Sequence, residues 1–305
     1  MRRLLVIALC LSLGGCGFGP GNAHRGSPVE LRVTRDFGRT TLTTASVAKV
    51  RESDTVMRLL QAHAKTRTRY GGGFVQSIDG IAGSSSAGRQ DWFYFVNGVE
   101  APTGAADRRL APGDIVQWDY RRWDATPRVP AIVGAFPEPF LHGQEGTRYP
   151  TRVECSETTK SCDTVESRLD AAGVLAGTGT LGSEARGGVL RIEVGTWSDL
   201  RDLEGLDVLE KGPDASGVYA RFADNGKRLE LLAPDGKVAR DAPPGTGLVA
   251  AILPRGQQPL WLVTGVDEAG VARAAALLEK AKLRDAYAVA ALPGGPVRLP
   301  LEQGR

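Results

Sequence analysis

Residues 90–102 read QDWFYFVNGVEAP and predict a β-hairpin. Four aromatic residues, Trp92 to Phe95, are followed one residue later by the dipeptide Asn97-Gly98, which is the strongest short signal for a two-residue hairpin turn. Side chains alternate between the two faces of a strand. The segment therefore sorts into two sets, with Trp92, Tyr94 and Val96 on one face and Phe93 and Phe95 on the other.

Two interpretations of these aromatic side chains are open. One face should pack on a helix. The other face could be exposed and apolar and could act as a platform for a planar ligand, because a ligand that stacks on aromatic side chains needs an accessible ring face. Alternatively, both faces belong to the core, one against the helix and the other against a neighbouring domain.

The residues around the hairpin predict a small α+β domain over residues 29–124. Val29, Leu31 and Val33 alternate as in a half-buried strand. Residues 51–65 have helical spacing, with Ser53 or Asp54 as the N-cap. Residues 74–83 read as strand and turn, and residues 110–123 predict a closing strand. We expect a β-grasp-like fold, in which one helix packs on a mostly antiparallel sheet.

Five motifs in this domain occur in a fixed order: Asp54-Thr55-Val56, Val75–Ile81, Trp92–Gly98, Gly104–Leu110 and Gly113–Tyr120. In this pattern the chain resembles the C-terminal domain of transcobalamin and intrinsic factor. It resembles more closely an uncharacterised bacterial domain family related to that module.

The resemblance implies ligand binding and makes a corrinoid, cobalamin, the candidate ligand. Aromatic side chains would supply stacking area, and amides and hydroxyls would orient the ligand. The predicted ligand contacts are Phe74, Gln76, Ser77, Ile78, Trp92, Tyr94 and Asn97.

The N-terminus predicts export and a lipid anchor. Two arginines precede a short apolar run, which is typical of a signal peptide over residues 1–15. The run ends in LGGC, which resembles the lipobox of bacterial lipoproteins. The signal peptide should therefore be cleaved before Cys16, which becomes the N-terminal residue and is acylated. Residues 16–28 are rich in Gly and Pro and predict a flexible tether. The protein should be held at the cell membrane on its extracytoplasmic side.

The remaining cysteines predict a disulfide. Cys10 lies in the cleaved segment and Cys16 carries the lipid, which leaves Cys155 and Cys162 as a pair in an oxidising compartment. Neither a second cysteine pair nor a nearby histidine supplies further ligands, so a metal site is not expected there.

The second half of the chain predicts an α/β sandwich. Residues 125–150 read as a Pro- and Gly-rich connector whose phenylalanines dock on a neighbour. Residues 151–298 alternate strands and helices, as in βα units. The motif GTGTLG at residues 177–182 follows a helix rather than a strand, so we interpret it as a loop and not as a phosphate site.

No catalytic constellation is evident, and we do not expect an enzyme or a cofactor. The net charge of +3 is spread along the chain, which does not favour nucleic acid as a partner. The expected function is that of an extracytoplasmic lipoprotein that binds a small ligand, such as cobalamin, for a membrane uptake transporter. The alternative is a non-catalytic lipoprotein that binds a protein or another envelope component.

Overall fold

The structure is a computed structural model that describes residues 23–70, 73–84, 88–156, 160–183 and 188–302. It is a mixed α+β protein in which sheet dominates, with 41% strand and 17% helix, so the predicted fold class is confirmed at this level. The predicted signal peptide and Cys16 lie outside the described residues. Within the described ranges, no helix is long and apolar enough to cross a membrane.

The first domain contains eight described strands and one helix. A five-stranded sheet has the order β2-β1-β8-β6-β7, and a three-stranded sheet has the order β3-β4-β5. In the larger sheet β1 and β8 are parallel and the other neighbours are antiparallel. The elements are β1 (Ala23–Arg35), β2 (Thr40–Arg51), α1 (Val56–His63), β3 (Thr66–Arg69), β4 (Phe74–Ile78), β5 (Ile81–Ala82), β6 (Gln90–Val96), β7 (Val99–Glu100) and β8 (Ile115–Arg122).

The alternation read from the sequence defines the core of this domain. Val29, Leu31 and Val33 are fully buried and pack in one cluster with the apolar face of α1. The helix begins later than predicted, because Thr55, not Ser53 or Asp54, is the N-cap and accepts a hydrogen bond from Arg58 N.

The predicted tether is shorter than expected. Strand β1 begins at Ala23, and Ala23–Arg25 pair with Lys49–Arg51 of β2, a strand that the sequence analysis did not assign. Gly26 allows close approach here, since a Cβ on it would lie 2.7 Å from Pro112 Cβ. Residues 23–28 therefore belong to the sheet.

The connector between the domains is part of the core. Residues 125–150 contain no named helix or strand, yet Phe136 and Phe140 are buried and contact the ring of Trp261 at 5.9 and 5.1 Å between centroids. The predicted docking of these phenylalanines is confirmed.

The second domain is built on a seven-stranded sheet of order β10-β9-β11-β16-β15-β17-β18. Its first four strands are parallel and the others antiparallel. A second, antiparallel sheet has the order β12-β13-β14. The strands are β9 (Thr151–Cys155), β10 (Ala176–Thr180), β11 (Leu190–Thr196), β12 (Ala220–Ala223), β13 (Arg228–Leu232), β14 (Val238–Asp241), β15 (Gly247–Ile252), β16 (Leu260–Gly265), β17 (Ala288–Leu292) and β18 (Gly295–Leu299).

The helices of this domain are short. They are α2 (Lys160–Ala171), α3 (Trp197–Leu200), α4 (Val208–Lys211), α5 (Pro213–Ser216), α6 (Glu268–Ala275) and α7 (Lys280–Leu283). Helices α2 and α6 pack on one face of the seven-stranded sheet. The other face packs against the β12–β14 sheet and against Phe37 and Phe95 of the first domain.

The helical segment that follows β11 is broken into α3 and α4, because the intervening turns centre on Gly205, whose φ is +82°. The last described strand is β18. One prediction for this half was wrong in detail. Part of GTGTLG is not a loop but the edge strand β10, which pairs with β9.

The predicted disulfide between Cys155 and Cys162 is present. It joins the end of β9 to the first turn of α2. The bridge therefore fixes the start of the helix on the sheet.

Polar groups lock the two domains together. Arg32, which is 1% exposed, donates to Gly134 O at 2.9 Å and to Asp285 Oδ1 at 3.3 Å. The carboxylate of Asp119 is fully buried and accepts from Tyr287 Oη at 3.0 Å. Parting the domains would leave these groups without their partners, which is costly for buried polar groups.

Candidate functional site

The face of β6 that carries Trp92 and Tyr94 packs within the first domain. Trp92 is 6% exposed, and its indole Nε1 donates to Ile81 O at 2.9 Å. The ring of Tyr94 stacks on Trp118 with centroids 4.9 Å apart. Trp92 is therefore a core residue, and the half-buried ring of Tyr94 has one face covered by Trp118.

The opposite face of β6 packs against the second domain. Phe95 is fully buried and lies 5.5 Å from the ring of Tyr287. Phe93 lies under the guanidinium of Arg121, 3.8 Å from its Cζ to the ring centroid. Trp92 and Phe95 are buried on opposite faces of the hairpin, and the half-buried Tyr94 and Phe93 pack beside them.

Asn97 has a structural role in the hairpin turn. It is fully buried, with a φ of +52° that suits the first position of a type I′ turn. Its amide donates to Asp114 Oδ1 at 2.9 Å and to Gly143 O at 2.7 Å, and accepts from Ile115 N at 2.8 Å. These bonds occupy both ends of the amide and hold Asn97 inside the turn, while the predicted ligand contact at this residue stays a prediction.

The predicted residues of β4 divide by exposure. Ser77 and Ile78 are buried, Gln76 is half-buried and Phe74 is 41% exposed. Gln76 and Ser77 border an open depression of about 550 Å³ together with residues 65–67. Of the seven predicted contacts, Phe74 and Gln76 remain the accessible ones on this strand.

A larger groove lies where the connector meets the second domain. Its volume is about 640 Å³, within the range of about 300–1,000 Å³ that holds small organic ligands. The floor includes Ile252, Leu253 and Pro254. The rim carries charged and polar side chains: Arg128, Glu204, Asp214, Arg255 and Gln257.

A second cavity of about 250 Å³ adjoins this groove and shares Leu253 and Gln257 with it. Its other wall comes from the first domain through Val99, Glu100 and Arg108. We call these two neighbouring cavities together the interdomain groove, to which both domains and the connector contribute.

The hairpin places Glu100 in this groove. Glu100 N donates to Pro130 O at 3.0 Å, and Val99 forms a β-bridge with Ala131, so the end of β7 is fixed on the connector. Burial raises the pKa of Glu100 to about 7, although the nearby guanidiniums of Arg121 and Arg128 oppose the shift. Arg128 Nε lies 3.7 Å from Glu100 Oε2. The groove therefore holds a carboxyl that titrates near neutral pH beside a largely exposed arginine.

Amide and guanidinium groups complete the polar side of the groove. Gln257 accepts from Arg191 Nη2 at 3.0 Å through its Oε1, which leaves its amide NH₂ group as a donor. Arg108 is 7% exposed, and its Nη2 makes no hydrogen bond within the described parts of the chain. A few polar groups around an apolar floor are typical of small-molecule sites. The sequence analysis missed this site because its residues come from many separate segments of both domains and the connector.

A buried pair of carboxyls is a second feature that the sequence analysis missed. Glu154 of β9 and Glu193 of β11 lie side by side in register and are at most 1% exposed. Burial and the neighbouring Glu154 carboxyl raise the pKa of Glu193 to about 8. Arg191 Nη1 lies 3.1 Å from Glu193 Oε1. The signal was present as the repeated pattern Arg-x-Glu in TRVEC and LRIEV.

The carboxyl pair does not form a metal centre with other residues. Across the described ranges, no group of three or more His, Cys, Asp or Glu side chains is placed to hold a metal ion. Glu154 Oε2 and Glu193 Oε2 are each buried and have no hydrogen-bond partner in the part of the chain that the structure describes. A single proton held between the two carboxyls would satisfy both oxygens.

Comparison with known proteins places a family match in the first domain. Residues 53–122, from just before α1 to the end of β8, match the family model of a domain of unknown function, DUF4430. The match covers less than half of the chain. No curated protein matches the sequence.

Among solved structures, the chain matches a crystal structure from Ruminococcus gnavus ATCC 29149 that is described as that of "a putative metal binding protein". The identity is 15% and the TM-score is 0.26. The match covers 32% of this chain and 97% of that chain.

Proposed function

We propose that this protein is an extracytoplasmic lipoprotein, anchored through Cys16, that binds a small organic ligand in the interdomain groove. The observation that carries the proposal is the groove itself, which both domains and the connector build and which has an apolar floor and a polar rim. The function is binding rather than catalysis. Within this proposal, the first domain is a β-grasp-like module and the second is an α/β sandwich.

We propose a corrinoid such as cobalamin as the ligand, delivered to a membrane uptake transporter. The five sequence motifs that resemble the transcobalamin-type domain support this choice, as does the chemistry of the groove. A corrinoid is a flat apolar macrocycle with carboxamide arms. The apolar floor suits the macrocycle, and Gln257, Arg128 and Glu100 can donate to or accept from the arms. A corrinoid is larger than the groove, so part of it would stay exposed to bind the transporter.

The test is calorimetric titration of the mature, purified chain with cobalamin. Ala215 lines the groove and is exposed at the surface of α5, so Ala215→Trp should fill the groove without disturbing the core. We expect saturable binding to the wild-type chain and binding at least about tenfold weaker in the variant, because a tenfold loss needs only about 1.4 kcal/mol. Ala171→Trp, on the exposed end of α2, is the matched control and should bind as the wild type does.

Two results would contradict the proposal. If Ala215→Trp leaves saturable binding unchanged, the ligand binds outside the groove. The absence of binding would reject the corrinoid, and the same titration with a fluorescent library of small amphipathic compounds would then test the groove alone. If neither cobalamin nor any such compound binds, the interaction lipoprotein becomes the better interpretation.

A further inference from the structure

The β3–β4 hairpin and the residue after β3 carry exposed aromatic and basic side chains that do not line the interdomain groove. Tyr70 is 86% exposed and Phe74 is 41% exposed. Arg69 lies directly opposite Phe74 in the strand pair, and Arg67 precedes it on β3. Arg67 and Arg69 are both exposed. We define these four residues as the hairpin patch.

Large exposed apolar side chains are few on this protein, which makes the patch distinctive. In the described ranges the exposed ones are Leu42, Tyr70, Phe74, Leu175 and Val238. Tyr70 and Phe74 alone in this set belong to one hairpin. Single exposed apolar residues are ordinary, but adjacent ones indicate an interaction surface.

The charged side chains within β3 and β4 are all basic, and the exposed carboxylate of Asp79 follows β4 beside Lys65. Residues 65–78 contain three basic side chains, Lys65, Arg67 and Arg69, and no acidic one. Neither Arg67 nor Arg69 forms an ion pair with a residue in the described part of the chain. Aromatic and basic side chains together are typical of segments that lie in the interface of an anionic membrane.

The tip of the β3–β4 hairpin packs against the segment that contacts the first turn of α1. Ala23, the first residue of β1, pairs with Arg51, which leads into the start of α1. Met57, in the first turn of α1, donates to Ala105 O. The adjacent Gly104 lies against the tip of the β3–β4 hairpin, since a Cβ on it would be 3.4 Å from Gly73 O.

We propose that the hairpin patch docks on an anionic lipid surface and orients the protein on the membrane. This step rests on the proposed lipid at Cys16. Ala23 is seven positions after Cys16, and an extended chain spans at most about 3.6 Å per position, so the start of β1 would lie within roughly 25 Å of the lipid surface. The two arginines would face the headgroups, and Tyr70 and Phe74 would enter the interface.

The experiment is co-sedimentation of the unlipidated mature chain with lipid vesicles. Phosphatidylglycerol vesicles supply the anionic surface and phosphatidylcholine vesicles the neutral one. We expect binding to the anionic vesicles, with Arg67→Gln/Arg69→Gln weakening it about 30-fold, because each basic residue near such a surface contributes about fivefold. Arg148→Gln/Arg240→Gln is the charge-matched control on other exposed arginines and should have little effect.

A second pair of variants tests the aromatic residues. Tyr70→Ser/Phe74→Ser should remove the binding that survives at high salt, where electrostatic attraction is screened. Leu175→Ser/Val238→Ser is the matched control, because these residues are 80% and 45% exposed. The proposal is overturned if the anionic vesicles do not bind, if both vesicle types bind equally, or if the control pairs weaken binding as much as the patch variants.

Failure of this proposal can be distinguished from failure of the other proposals by separate measurements. Mass spectrometry of Cys16 in the native protein tests the lipid anchor, and cobalamin titration tests the groove. Vesicle binding without a lipid on Cys16 would support the patch and contradict the lipoprotein.

Discussion

Replacing Glu193 by Gln should change how the stability of this protein depends on pH. In the folded state Glu193 is buried beside Glu154 and keeps its proton up to a pKa of about 8. In the unfolded state it would titrate at an ordinary glutamate pKa near 4.5. The folded state therefore binds more protons than the unfolded state between these two values. Stability is fully present below the lower pKa and falls as the pH rises toward the upper one.

The size of the effect follows from these pKa values. A difference of one pKa unit corresponds to about 1.4 kcal/mol. Integration between about pH 6 and about pH 8 gives a loss of about 2 kcal/mol in the free energy of unfolding from this one carboxyl. Gln is close in shape to a protonated Glu and does not titrate, so Glu193→Gln should lack this part of the loss.

Urea unfolding of both chains at about pH 6 and about pH 8 provides the measurement. We expect the variant to gain about 2 kcal/mol relative to the wild type between the two pH values. Glu268→Gln, at the exposed start of α6, controls for the loss of a surface carboxylate. Parallel pH dependence of the wild type and Glu193→Gln would refute the shared proton, and the pair would then be ionised and held by Arg191.

Three further outcomes follow from the structure. Because burial raises the pKa of Glu100 to about 7, Glu100→Gln should gain up to about 2 kcal/mol of stability relative to the wild type between about pH 5 and about pH 8; a constant difference in urea unfolding would contradict this. Replacing Cys155 and Cys162 together by Ala should lower the free energy of unfolding by up to about 2–3 kcal/mol, because the bridge closes a short loop. The measurement is thermal unfolding with and without reductant, and a wild-type melting temperature that reduction leaves unchanged would contradict this prediction. Gly98→Ala should cost more than about 1 kcal/mol, since Gly98 has a φ of +78° and a Cβ would lie 2.7 Å from Ile132 O; an unchanged melting temperature would refute the strain.

Much of the first domain could be predicted from local patterns. The Asn97-Gly98 turn and the alternation of Val29, Leu31 and Val33 are properties of adjacent residues, and they fixed strands, faces and turn correctly. Strand β2 was missed because its burial is slight along most of its length, so its sequence lacks the apolar alternation of a core strand. Because β2 pairs with Ala23–Arg25, the sheet of this domain begins at Ala23 and not at the predicted residue 29.

The candidate site could not be predicted in the same way. The alternation of Trp92 and Phe93 indicated two faces, but which partner covered each face depends on how the second domain docks. The groove brings together residues such as Glu100 and Gln257, which are far apart in the sequence. The pair of Glu154 and Glu193 could have been predicted from the sequence. A charged residue on a buried parallel strand needs a polar partner, and the Arg-x-Glu pattern that occurs in both strands indicated one.

The buried contacts between the domains also bear on how fast a ligand in the groove would exchange. Arg32 and Asp119 hold the two domains in one relative position, so the groove is open before a ligand arrives and association would need no closure step. The association rate would then depend on diffusion and on the charges at the rim. Differences in affinity among related ligands would lie mostly in the dissociation rate. A transporter would have to recognise the bound ligand itself, because occupancy would not be signalled by a change in domain position.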